Sequence, residues 1–275
     1  MAIITLTSDI GQQDYLVAAV KGQLYNVSDN LNIVDITHQL SAFNYPQAAY
    51  ICDSSFKYFP KGTFHIVLVN LFETLPRQML LAYHNDQYIA CADNGLLTMI
   101  LDGKPEKVIS LPMPSDTRPT TMLCTHVIVD AISQILRGKP IESLGSTDIE
   151  IVEKLRLKYV TTPATMEGQI IYIDNFENVI VNITKDDFDN ERKGRNFKIV
   201  FTRNEVIDTI SETYSSVQQG EKVAFFNSSN YLEIAINKGN AAGLFGLKGY
   251  SEAMQKQSIG LQNKWFYQTV KIYFE

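Results

Sequence analysis

The sequence predicts a two-part fold: an α/β N-terminal domain with a mostly parallel sheet over residues 1–160, then a small all-β, barrel-like domain over 165–275. Three observations carry this. Strand-like and helix-like stretches alternate through roughly the first hundred residues, as in a sheet covered by helices. Within them, Phe64-His65-Ile66-Val67-Leu68-Val69-Asn70 is a short apolar run suited to a strand buried on both faces. Beyond about residue 163, short strands alternate with turn-rich stretches, the texture of a β-barrel.

The elements follow in order. Ile3-Ile4-Thr5-Leu6-Thr7 reads as the first strand and ends at Ser8-Asp9-Ile10-Gly11. Residues 14–27 place Leu16, Val17, Val20 and Leu24 at three- and four-residue spacing, which is a helical period. A second strand over 32–36 closes on Thr37-His38, and a helix over 45–59 is stopped by Pro60-Lys61-Gly62. The Phe64 strand comes third, and a loop then carries the chain to Arg77. A strand over 88–92 precedes the Asp93-Asn94-Gly95 turn and a short helix over 96–101. Three prolines make 111–121 a connecting loop, and a helix over 127–136 ends at Arg137-Gly138-Lys139-Pro140. Strands are expected over 169–173, 179–183, 197–201, 222–226 and 232–236, with 186–195 among the turn-rich separators.

The totals narrow the function classes. The chain has 275 residues, 45% hydrophobic and 20% charged, which is ordinary for a soluble globular protein. A formal charge of -6 and a pI near 5.3 argue against nucleic acid as a partner and leave room for a small ligand in a local pocket. Cys52, Cys91 and Cys124 sit in separate apolar contexts without a Cys-x-x-Cys, so reduced thiols and a cytoplasmic location are expected. The first residues lack a signal-like pattern, and no apolar run is long enough to cross a membrane.

Groups at the carboxyl ends of parallel strands face the ligand crevice. Asn70 and the following Arg77 are therefore a polar pair to examine. Asp9 stands at the end of another strand, where its carboxylate can accept both hydroxyls of a ribose or cap the next helix. His38 and His126 also follow apolar segments, and each is compatible with a structural role. The histidines lack metal-ligand spacing, and the phosphate-cradling glycine loops and the Gly-x-Ser-x-Gly elbow are absent. No metal and no cofactor are expected. In the second half, Asp174 suits an ammonium group and Ser228 a carboxylate, a pair able to hold an amino-acid headgroup. Taken alone, they are better explained by ordinary turn chemistry.

Taken together, the stretches resemble one known family over nearly the whole chain. The N-terminal ones are Thr7-Ser8-Asp9-Ile10-Gly11, Lys21-Gly22, Ile33-Val34-Asp35-Ile36-Thr37-His38, Tyr58-Phe59-Pro60-Lys61-Gly62-Thr63 and Asp93-Asn94-Gly95-Leu96-Leu97-Thr98. The others run from Ile173-Asp174 to Asn178, and from Asn227-Ser228 to Asn240-Ala241-Ala242. The family is that of the S-adenosylmethionine (SAM) hydrolases, or SAM hydroxide adenosyltransferases, relatives of the fluorinase and chlorinase enzymes.

The resemblance implies a homotrimer that holds SAM between the N-terminal domain of one subunit and the C-terminal domain of the next. It implies attack of water on the ribose 5′-carbon, giving adenosine and L-methionine. Carried over by position, Asp9 holds the ribose hydroxyls and Phe43 packs on the ligand. Asp174 and Ser228 bind the methionine headgroup, Asn178 contacts the adenine and Tyr214 stacks on it. The catalytic positions fall on Asn70, Arg77 and His126. The family pattern has an aspartate where this chain has Asn70, and two glycines of the adjoining loop are replaced. Glu73 is a carboxylate that could substitute if its loop folds inward. A halogenase is disfavoured, because Asn70, Glu73 and Val127 make a poor nest for a small anion. The alternative is a homotrimer that binds SAM or adenosine without converting it.

Overall fold

The structure is a computed structural model that describes residues 1–28, 30–72, 78–114, 117–201, 205–247 and 268–275. The chain divides into two compact units, Met1–Arg156 and Leu157–Glu275.

The first unit is a sheet between two helical layers. Its elements are β1 (Ala2–Ser8), α1 (Leu16–Tyr25), β2 (Leu31–Thr37), α2 (Tyr45–Phe56), β3 (Phe64–Leu68), β4 (Met79–His84), β5 (Gln87–Ala92), α3 (Leu96–Leu101), β6 (Lys107–Leu111) and α4 (Thr121–Leu136). The sheet order is β2-β1-β3-β5-β4-β6. β3 explains the two-sided apolar run. Phe64, Ile66 and Leu68 pack with Val20, Cys124 and Ile128 beneath α1 and α4, while Val67 packs with Ala48, Cys52 and Leu97 beneath α2 and α3. All three cysteines are buried free thiols within these two cores.

The sheet is mixed, which corrects the mostly parallel expectation. β2, β1, β3 and β5 are parallel, but β4 runs antiparallel to both β5 and β6. The cause is a two-residue hairpin at Asn85-Asp86, both at positive φ (50° and 60°), which turns β4 straight back into β5. Asn and Asp tolerate that region better than other side chains. α4 also begins earlier than its apolar period suggests. Thr120 caps it by accepting the Leu123 N–H at 3.2 Å, so the polar residues Thr121 and Thr125 belong to the helix.

The second unit is an antiparallel, nearly closed sheet. It comprises β7 (Val160–Thr162), β8 (Thr165–Ile173), β9 (Val179–Thr184), α5 (Lys185–Arg192), β10 (Phe197–Phe201), β11 (Glu205–Ile207), β12 (Lys222–Phe226), β13 (Tyr231–Ile236) and β14 (Thr269–Phe274). The order is β11-β10-β14-β8-β9-β13-β12, with β7 added to β8. Near the two ends of that path, the Ser211 N–H reaches the Ala224 carbonyl of β12 at 2.8 Å. Met166, Val181, Ile199, Leu232, Ile234, Val270 and Ile272 fill the core.

This unit differs from the sequence reading in several places, and the short strands β7 and β11 are among the elements not foreseen. Residues expected as turns form α5, started by a reciprocal cap between Thr184 and Asp187. A strand not foreseen, β14, inserts between β8 and β10. Among the described residues, no helix is long and apolar enough to cross a membrane.

Candidate functional site

β1 and β3 are parallel neighbours with Ser8 opposite Leu68, so the residues just after them emerge at one edge. Asp9 and Asn70 meet there. The Asn70 N–H donates to Asp9 Oδ2 at 2.9 Å, and the Asp9 N–H reaches the Leu68 carbonyl at 3.3 Å. Burial raises the Asp9 carboxyl above its usual range, opposed by the hydrogen bond from the Asn70 N–H.

Phe43 completes this group. Its N–H donates to Asn70 Oδ1 at 2.9 Å, and both residues hold positive φ (61° for Phe43, 48° for Asn70). Such backbone costs energy unless its surroundings fix it. Asn94 supplies part of the fixing, since its Nδ2 donates to the carbonyls of Val69 (2.9 Å) and Asn70 (3.3 Å). With Oδ1 committed to Phe43, the Asn70 amide leaves Nδ2 buried and, among the described residues, without a partner. The uncommitted atom is therefore a donor. The Phe43 side chain is 62% exposed in the isolated chain, a large apolar face at the same edge.

His38 braces the neighbouring strand ends. Its Nδ1 lies 2.7 Å from Ser8 Oγ and its Nε2 3.2 Å from Asp35 Oδ1, with Lys21 Nζ 2.5 Å from the other Asp35 oxygen. The Gly11 N–H donates to the His38 carbonyl at 2.8 Å, fixing the turn after Asp9. His126 lies exposed on α4, beside Thr125, whose hydroxyl bonds Gln23 Oε1 of α1 at 2.6 Å. Among the described residues no hydrogen bond or ion pair joins it to Asp9 or Asn70. Glu73 and Arg77 lie outside the described residues. None of the eight described candidate residues lines the cavity of about 340 Å³ bounded by Phe56, Phe59, His84 and Gln87.

The second unit gathers its own polar group. Asp174 follows β8, and its Oδ1 accepts the N–H of Phe176 and of Asn178, each at 2.8 Å. Asp174 Oδ2 accepts Asn178 Nδ2 at 3.0 Å. Asn178 Nδ2 also lies 3.3 Å from the Tyr214 hydroxyl, which donates to Glu233 Oε1 at 2.6 Å. The Tyr214 ring packs edge-on against Phe225 (4.7 Å, 80°), and the residue keeps 40% exposure. Ser228 is exposed in the β12–β13 turn, where Asn227 Oδ1 accepts the N–H of Ser229 (3.0 Å) and Tyr231 (3.2 Å).

The structure thus brings Asp9, Phe43 and Asn70 together in one unit, and Asp174, Asn178 and Tyr214 in the other. Sequence reasoning missed Asn94 as a brace and Glu233 as a partner of Tyr214. Glu233 had a signal, being the sole acid inside the apolar strand Tyr231–Ile236. Among the described residues no group of three or more His, Cys, Asp and Glu side chains could hold a metal ion.

Comparison with known proteins gives this geometry a family. An (R)-S-adenosyl-L-methionine hydrolase of Thermus thermophilus is 27% identical over 262 residues, covering 90% of this chain and 97% of that protein. A second protein of that name, from Methanocaldococcus jannaschii, is 27% identical over 192 residues, covering 67% of this chain and 68% of the other. A fluorinase of Actinopolyspora mzabensis is 25% identical over 282 residues, covering 90% and 94%. The crystal structure of an uncharacterized conserved protein from Thermotoga maritima superposes with a TM-score of 0.76 at 22% identity, over 98% of this chain and 99% of that one, which shows a shared fold. Residues 4–145 match the SAM hydroxide adenosyltransferase N-terminal domain and residues 168–253 the C-terminal domain. With both domains matched in order along the chain, the protein belongs to the SAM hydroxide adenosyltransferase family.

Proposed function

We propose that the protein is a SAM hydrolase that converts SAM and water into adenosine and L-methionine. The observation that carries this is the group of Asp9, Asn70 and Phe43 at one strand edge, in a chain related to proteins named for that reaction. The water oxygen bonds to the ribose 5′-carbon as the carbon–sulfur bond breaks. Its electron pair goes to sulfur, which leaves as the neutral thioether of methionine, and the water proton passes to solvent. The leaving group needs no acid. Positioning of the reactants can contribute roughly 7–11 kcal/mol.

Asp9 takes the ribose hydroxyls, Asp174 and Ser228 the methionine headgroup, Asn178 the adenine, with Phe43 and Tyr214 against the ligand. Asn70 is the attack-side residue, with Arg77 and His126 as its partners in the reaction. The Asn70 amide can hold the water oxygen through Nδ2, but it cannot accept the proton. That orientation also supports a second reading, a protein that binds SAM or adenosine and turns it over weakly or not at all. In either case the assembly is a homotrimer, each ligand lying between one subunit's N-terminal unit and the next subunit's C-terminal unit. The buried free thiols suit the cytoplasm, and neither a cofactor nor nucleic acid enters the scheme.

Incubating the pure protein with SAM and following adenosine by chromatography tests the proposal. Adenosine above the protein-free rate supports the hydrolase. Micromolar SAM binding without adenosine supports the second reading, and absence of both turnover and binding defeats the two together.

A further inference from the structure

Glu233 is 4% exposed, in the middle of β13, between Ile180 of β9 and Phe225 of β12 in the ladders. A carboxylate in that place is costly unless hydrogen-bonded. Its partners come from three other segments. Tyr214 donates its hydroxyl at 2.6 Å, and the side-chain amides of Asn227 and Asn178 also lend hydrogen bonds. The Tyr214 hydroxyl, its proton given to Glu233, turns a lone pair to Asn178 Nδ2 at 3.3 Å. Asp174 Oδ2 accepts from the same nitrogen at 3.0 Å.

The direction of this chain has a consequence for Asn178. An amide has two N–H donors and one carbonyl acceptor. The donor end of the amide faces three acceptors, Asp174, Tyr214 and Glu233, so it cannot rotate by half a turn without losing these hydrogen bonds. We infer that Glu233 is a positioning residue that, directly and through Tyr214, fixes the Asn178 amide with its carbonyl oxygen as the atom offered to a ligand. An acceptor at that point takes a donor, such as the exocyclic amine of a 6-aminopurine. It disfavours a 6-oxopurine, whose oxygen would face it. The inference deepens the nucleoside-binding reading and rests on it for the identity of the ligand.

The test uses the full chain as wild type, Tyr214→Phe and Glu233→Gln. Tyr214 lies on an exposed turn and Phe keeps its ring, while Gln keeps the volume of Glu233. The Asn178 side-chain amide is followed by nitrogen-edited NMR without ligand, assigned by its loss in Asn178→Ala. Adenosine and inosine are then titrated by calorimetry. The expected result is that the Asn178 amide signals move in both variants. Wild type prefers adenosine about tenfold or more, and both variants bring the preference to about twofold or less with melting temperatures within a few degrees. Unmoved Asn178 signals in both variants overturn the inference. So does a wild type that binds both nucleosides equally, or a preference that survives both substitutions. If wild type binds neither nucleoside, the nucleoside reading fails, and the Asn178 signals alone decide whether Glu233 sets the amide.

Discussion

The Asn70 backbone N–H lies 2.9 Å from Asp9 Oδ2, tying together the residues that leave β3 and β1 at the same edge. One bond thus couples the expected sugar-binding carboxylate to the expected attack-side residue. Moving either shifts the other, which makes this edge a single device.

Asn70→Asp changes the chemistry at that edge with little change in shape. The side chain keeps an oxygen for the Phe43 N–H and gains a second oxygen in place of Nδ2. General-base assistance is worth roughly 10²–10⁴-fold. Adenosine formation in the variant is expected to rise by about a hundredfold over wild type, measured at saturating SAM. An unchanged or lower rate in a folded variant would remove the amide as the limiting feature.

Asp9→Asn separates binding from stability. SAM or adenosine affinity is expected to fall by at least about tenfold, since the loss of a charge-assisted hydrogen bond costs roughly 1.5–3 kcal/mol. The pH dependence has a definite sign. The folded carboxyl sits above its unfolded value of 3.8, so between the two the folded state holds more protons. Wild-type stability therefore falls as pH rises through that window and keeps the full penalty above it. Denaturant unfolding across the window should show the variant losing this slope.

His65 supplies the opposite slope. It is fully buried, bonded to Thr5 Oγ1 at 2.7 Å and stacked on Phe56 at 3.7 Å. Burial pushes its pKa from 6.5 down to about 4, against a hydrogen bond to Gln87 that raises it. In that range the unfolded state binds the extra proton. Stability is complete above 6.5 and is lost as pH falls toward 4, by roughly 3 kcal/mol in all. His65→Gln should flatten that part of the unfolding profile.

Thr184→Ala tests the start of α5. Thr184 Oγ1 accepts the Asp187 N–H at 3.1 Å, and Asp187 Oδ2 accepts the Thr184 N–H at 3.1 Å and its hydroxyl at 2.6 Å. Removing the hydroxyl is expected to cost about 1 kcal/mol. Urea unfolding gives the value, and no loss would show that the cap contributes nothing.

The elements legible in the sequence are those whose signal is local. The β3 run, the α3 segment and strands such as Phe197–Phe201 declare themselves by apolar period and flanking turns. α4 begins early because a threonine cap outweighs the polar look of its first turns. The mixed sheet depends on a two-residue hairpin, Asn85-Asp86, whose residues read as ordinary loop. β14 finds its neighbours, β8 and β10, far away in sequence, so its place in the order has no local sign.

The candidate residues divide in the same way. Asp9 and Asn70 are visible because each ends a strand. Their coupling needs the β1–β3 pairing, which only the fold supplies. Glu233 stands out as an acid in an apolar strand, but its partners Tyr214 and Asn178 come from two other segments. The Asn70 amide keeps Nδ2 as its uncommitted atom because Oδ1 takes the Phe43 N–H, whose approach depends on two positive-φ residues.

The most direct measurement is turnover of SAM in water enriched in oxygen-18, with products resolved by mass spectrometry. The account predicts adenosine that carries one heavy oxygen at its 5′ position, together with unlabelled methionine, faster than in the protein-free control. Adenosine no faster than that control, or adenosine without the heavy oxygen, would contradict it.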